Sequence, residues 1–78
     1  MPISYAITAD QLRAKYARNA AAMQADADRA RATGQKVRGY RADQLQAGAD
    51  NLRAQSHMTD AELARPLAML THALLEAR

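Results

Sequence analysis

The chain reads as an all-α protein, a small three-helix bundle in one helical domain over residues 1–78, and three observations carry that reading. Alanine, leucine, arginine and glutamine, all good helix formers, dominate the 78 residues. Three segments open alike: Ile7-Thr8-Ala9-Asp10-Gln11-Leu12, Tyr40-Arg41-Ala42-Asp43-Gln44-Leu45 and Met58-Thr59-Asp60-Ala61-Glu62-Leu63. In the first and third, a threonine stands three residues before a Gln or Glu that can reach back to it. Ile7/Leu12 and Met58/Leu63 there have the spacing of a hydrophobic staple. Near the C-terminus, Leu63, Leu67, Leu70 and Leu74 recur at the helical period.

Residues 2–7 carry Pro2, two isoleucines and Tyr5 in imperfect alternation, which predicts a short extended N-terminal arm laid across the bundle or a partner. The first helix is expected over about 8–33, with Gly34 as its left-handed stop. Leu12, Tyr16 and Met23 line its inner stripe, completed by Ala20, Ala27 and Ala30. Asp10/Arg13, Asp26/Arg29 and Asp28/Arg31 are opposite charges three apart, the ordinary support of a solvated face. Asn19 falls in the apolar stripe. It reads either as a buried register device or, the favoured reading, as a half-wet side chain on a loose seam.

The second helix is expected to begin at 36 or 41 and to end near 55. Gly39 favours the later start, although Arg41 is a poor cap. Leu45 and Leu52, seven apart, share its seam. Gly48 lies near them, where a missing side chain would admit a neighbouring helix or merely be tolerated. The third helix, about 59–77, carries the leucine stripe, widened by Met69 and Leu75. It should be kinked or split at Pro66, which removes a backbone donor and crowds the preceding turn.

The core is poor in large side chains. Twenty residues are alanine, and Leu, Ile, Val and Phe together number eleven. A domain this small has about 3–5 kcal/mol of net stability to draw on. Such a chain gains by borrowing apolar surface, through dimerisation or by docking on a larger partner.

Cysteine is absent, so neither a disulfide framework nor a thiolate metal site is available. The N-terminus has no basic segment leading into a long apolar run, and no apolar stretch of about 18 residues occurs. A chain outside the membrane is therefore expected, with the cytoplasm as default location. No catalytic, cofactor or metal site is expected. His57 and His72 lie fifteen residues apart, and His72 points away from the leucine stripe. Ser4 and Ser56 have no surrounding nucleophile motif, and Asp26 and Asp28 occupy different helix faces. These patterns point away from an enzyme.

Basicity is the chemical signal that remains. The net charge is +3, and Lys36, Arg38 and Arg41 place three positive charges around Gly39 and Tyr40. Lys15, Arg18 and Arg29 share one flank of the first helix and are expected to extend that patch. Guanidinium groups beside an aromatic suit phosphates and unpaired bases, yet arginine is equally at home at protein interfaces. The leading expectation is a non-catalytic regulator or inhibitor that binds a larger protein or complex stoichiometrically, through an acidic surface on that partner. Small inhibitors encoded by phages or other mobile elements against defence complexes are a setting suggested by size and class alone. The binding residues would be Lys15, Arg18, Arg29, Lys36, Arg38, Tyr40, Arg41, Met69 and Leu75. The module is compatible with a homodimer; a basic DNA- or RNA-binding module and a subunit of a larger assembly are the alternatives.

Overall fold

The computed structural model describes residues 7–76, apart from the side chains of Leu74 and Leu75. Three helices occupy them: α1 (Ala9–Thr33), α2 (Ala42–Gln55) and α3 (Asp60–Glu76). The expected extended arm lies outside the described residues except for Ile7, as does Ala77 at the far end.

Both outer helix starts follow from their threonines. Gln11 N–H donates to Thr8 Oγ1 at 3.1 Å and Thr8 N–H to Gln11 Oε1 at 2.9 Å. Thr59 and Glu62 repeat the exchange at 3.2 and 3.0 Å. These bonds satisfy helix N–H groups that have no partner within the helix. The residues just before the two caps, Ile7 and Met58, pack into the same apolar cluster as Leu12 and Leu63. At the other end of α1, Gly34 takes φ +68° and donates its N–H to the Ala30 carbonyl at 2.9 Å. An L side chain there would meet its own backbone.

The second helix begins late. Residues 35–38 form no first turn, because Val37 and Tyr40 exchange two backbone hydrogen bonds of 3.0 Å across Arg38-Gly39. Both central residues have positive φ, Arg38 at 55° and Gly39 at 84°, the pattern of a type I′ turn. Once that turn closes, Ala42 is the first residue free to enter a helix. The Gln44 side chain accepts the Arg41 N–H at 2.9 Å, so this cap is made from one side only.

α2 returns antiparallel along the C-terminal half of α1. Ala27, Ala30 and Leu45 form its buried seam, with Met23, Val37 and Ala42 packed around them. Ala49 is fully buried, and Leu52 is half-buried. Gly48 is a close-approach position: a Cβ built there would collide with Met23 Sδ.

A polar ladder runs beside that seam and was not anticipated. The Gln24 and Gln46 amides bond reciprocally, both at 2.8 Å. Gln24 also donates to Asp28 and Gln46 to Asp50, each at 3.0 Å. Arg31 then reaches across to Gln46 at 2.9 Å, and Arg53 across to Gln24 at 3.1 Å. The two helices carry the same spacing, Gln24/Asp28/Arg31 and Gln46/Asp50/Arg53, so an antiparallel pairing makes the network nearly symmetric. Gln24 and Arg31 together hold the Asp28 carboxyl below its usual range, the amide bond being the larger cause.

α3 is one continuous helix through Pro66, not two, and it lies against the N-terminal half of α1. Leu12, Leu63 and Leu67 form this second core, joined by Ala9, Tyr16, Met58 and Leu70. Arg13 is more than half of a surface ion pair: besides Asp10, it bonds the Met58 carbonyl at 3.1 Å and Asp60 at 2.7 Å. It thereby ties the start of α3 to α1, and the two aspartates raise its already high pKa. Among the described residues α2 and α3 both rest on α1 and do not touch each other. The bundle is consequently open and elongated, with extents of 53 × 28 × 14 Å.

Candidate partner-binding surfaces

The basic residues singled out by sequence gather in two places. At the hairpin turn, Asp26 acts as a clamp: its side chain, only 15% exposed, accepts Arg29 at 2.7 Å on one oxygen and Arg38 at 3.1 Å on the other. Arg38 is aimed there by its left-handed backbone. Two of the expected binding cations thus share one carboxylate, which offsets one of their two charges. Around the corner, Arg31, Lys36 and Arg41 line a shallow hollow of about 690 Å³ with Ala30, Ala42 and Asp43. Arg41 is drawn to Asp43 at 3.4 Å, and Tyr40 is exposed beside it.

Lys15 belongs to the other place, an open groove of about 400 Å³ between α1 and α3. Leu12, Tyr16, Pro66, Leu70 and Ala73 form its floor and walls, with Met69 at the edge. Met69 is 64% exposed, the most exposed of the large apolar side chains described. Tyr16 is half-buried, packing on the Leu12 cluster while its ring also lines the groove. Arg18 is exposed one turn beyond Lys15. From Lys15 to Arg29 the helix advances about 21 Å, so the first-helix cations share a flank without forming one compact patch. The Leu75 side chain lies outside the described residues.

Other sequence candidates are plain surface. Asn19 is exposed, at the rim of a hollow with Met23, Asp26, Arg38 and Leu52. His72 is exposed and meets Glu76 at 3.0 Å one turn on. His57 is also exposed, and among the described residues no cluster of His, Asp or Glu is arranged to hold a metal ion. No described helix is long and apolar enough to cross a membrane.

The paired Gln-Asp-Arg ladder is the feature that sequence reasoning missed. Its signal was available as a repeat of Gln-x-x-x-Asp-x-x-Arg, offset by twenty-two residues. The type I′ turn had a signal too, the glycine at its second central position, but Arg at the first is uncommon there. Fold and surface define the class: a small, open, all-α protein that presents, among the described residues, an apolar groove and a basic turn. Compared with family models, with curated proteins and with solved structures, the chain finds no significant match.

Proposed function

We propose that this chain is a non-catalytic interaction module that acts by stoichiometric binding to a larger protein or complex, as small regulators and inhibitors do. The observation that supports this most is the α1–α3 groove. No third helix closes over it among the described residues, and Met69 stands exposed at its edge. A monomer leaves such apolar surface in water at a cost of about 25 cal/mol per Å², and a partner recovers that energy. Phage or mobile-element inhibitors of defence complexes are one setting that matches the size and the helical class.

A second reading is favoured by a specific grouping: Arg31, Lys36 and Arg41 around one hollow, with Tyr40 exposed alongside, suit a phosphate backbone and a stacked base. Affinity capture from native lysate, with and without nuclease, separates the two. The module reading expects a protein retained in a fixed ratio after nuclease. Nucleic acid as the main captured species, with proteins lost on nuclease treatment, would overturn it.

A further inference from the structure

We propose that the α1–α3 groove receives an acidic amphipathic helix of the partner, an assignment that rests on the interaction-module reading above. Apolar side chains on one face of such a helix would enter against Tyr16, Leu70 and Met69, the usual helix-in-groove mode. Its carboxylates are required by the charges left around the groove. Six described arginines, Arg13, Arg29, Arg31, Arg38, Arg41 and Arg53, each hold an aspartate. Among the described residues Lys15, Arg18, Lys36 and Arg65 hold none, and Lys36 lies at the other hollow. Lys15 lines the groove, Arg18 follows it by one turn on α1, and Arg65 precedes Met69 by one turn on α3.

The acidic residues along the same flank of α3 make their hydrogen bonds within their own helix. Glu62 caps its own helix through Thr59, and Glu76 is held by His72. Cations without an acidic partner among the described residues therefore border the groove on its α1 side, through Lys15 and Arg18, whereas on α3 Arg65 shares its flank with the charged Glu62. A second copy of the chain fits less well, because a two-fold contact on this face would bring two copies of the same Lys15-Arg18-Arg65 surface together. The N-terminal residues 1–6 fit less well again, since they contain no carboxylate.

The test uses the full chain and a fluorescein-labelled helical peptide with leucine at heptad positions a and d and glutamate elsewhere. A control peptide replaces glutamate with lysine. Anisotropy should show saturable binding of the acidic peptide alone, weakening as salt rises. Met69→Glu should reduce it at least tenfold, as should Lys15→Glu combined with Arg65→Glu. These positions lie outside the buried core, and circular dichroism checks that helix content is unchanged. Arg31, Lys36 and Arg41 changed to glutamine should leave peptide affinity within about twofold, since they line a different hollow. Tighter binding of a single-stranded oligonucleotide through Lys15 and Arg65 would overturn the assignment. So would a dimer that Met69→Glu dissociates, or nuclear Overhauser contacts from Ile3 or Tyr5 to Met69 in the free chain. The groove variants are also carried into the lysate capture. A partner retained by all of them refutes the groove and leaves the module reading standing, whereas no nuclease-resistant partner for the wild-type chain refutes the module reading itself.

Discussion

Replacing Leu12 with alanine should release α3 while leaving the α1–α2 hairpin folded. Leu12 is 1% exposed and packs with Leu63 at 0% and Leu67 at 3%, so its loss opens a cavity in the apolar seam that holds α3 among the described residues. Leucine-to-alanine changes at such sites cost about 2–5 kcal/mol, the transfer term plus the unfilled volume. That range is as large as the net stability expected of a domain this small. Among the described residues α3 rests on α1 alone, and most of a helix's stability comes from such packing rather than from propensity. Amide hydrogen exchange, read by segment, is the assay. At about 1.4 kcal/mol per factor of ten, protection over 60–76 should fall by roughly 30-fold or more. Protection over 20–33 and 42–55 should change much less, because Ala27, Ala30, Leu45 and the glutamine ladder are untouched. Leu45→Ala is the reciprocal control and should expose α2 first. Equal loss of protection in all three helices after Leu12→Ala would refute the separation into two cores and show a single cooperative unit.

Gly48→Ala should be nearly neutral on its own, since about 1 kcal/mol of helix propensity is set against displacing the Met23 side chain. In a Met23→Ala background the same change should stabilise by about 1 kcal/mol in chemical denaturation, and additivity of the two would refute the contact. At the turn, Gly39→Ala should cost about 1–2 kcal/mol, whereas Arg38→Asn should be tolerated or stabilising, because asparagine accepts the left-handed backbone that arginine resists. Gln24→Ala and Gln46→Ala should show a coupling of about 0.5–3 kcal/mol in a double-mutant cycle, and independent effects would mean that the ladder is ornamental. For Glu62, hydrogen bonds from the Thr59 backbone and hydroxyl hold the carboxyl below its ordinary value. A depressed carboxyl contributes stability above its unfolded pKa and loses it as pH falls through the folded one. The acid limb of the stability profile should therefore shrink in Glu62→Gln, and an unchanged limb would show that the cap carries no charge-dependent part.

Much of the architecture can be read locally because its causes are local. Thr8 and Thr59 mark helix starts since the capping exchange involves residues three apart, and Gly34 marks a stop since only its own backbone angle is at issue. The leucine period of α3 identifies its inner face for the same reason. The start of α2 was less legible. Gln35 to Arg38 have acceptable helix propensity, and only the pairing of Val37 with Tyr40 across a left-handed Arg38 excludes them. Of the proposed site residues, the groove member Met69 was legible from its place outside the leucine stripe. The sorting of the cations was legible only in part: Asp10/Arg13, Asp26/Arg29 and Asp28/Arg31 follow from their spacing, but nothing local says that Arg38 would join Asp26 or that Lys15 would line a groove.

By itself, then, the sequence determined the class, the number of helices, most of their limits and the identity of the buried apolar residues, all of which depend on spacings within one turn or one heptad. Tertiary structure decided how those helices are shared between two separate cores. It also decided that Asp26, paired with Arg29 by spacing alone, would take Arg38 on its other oxygen, and that Lys15 would face an open groove beside α3. Those outcomes depend on contacts between residues 12 to 47 positions apart. No local pattern encodes such contacts, because each becomes favourable only after the helices that carry its partners have packed.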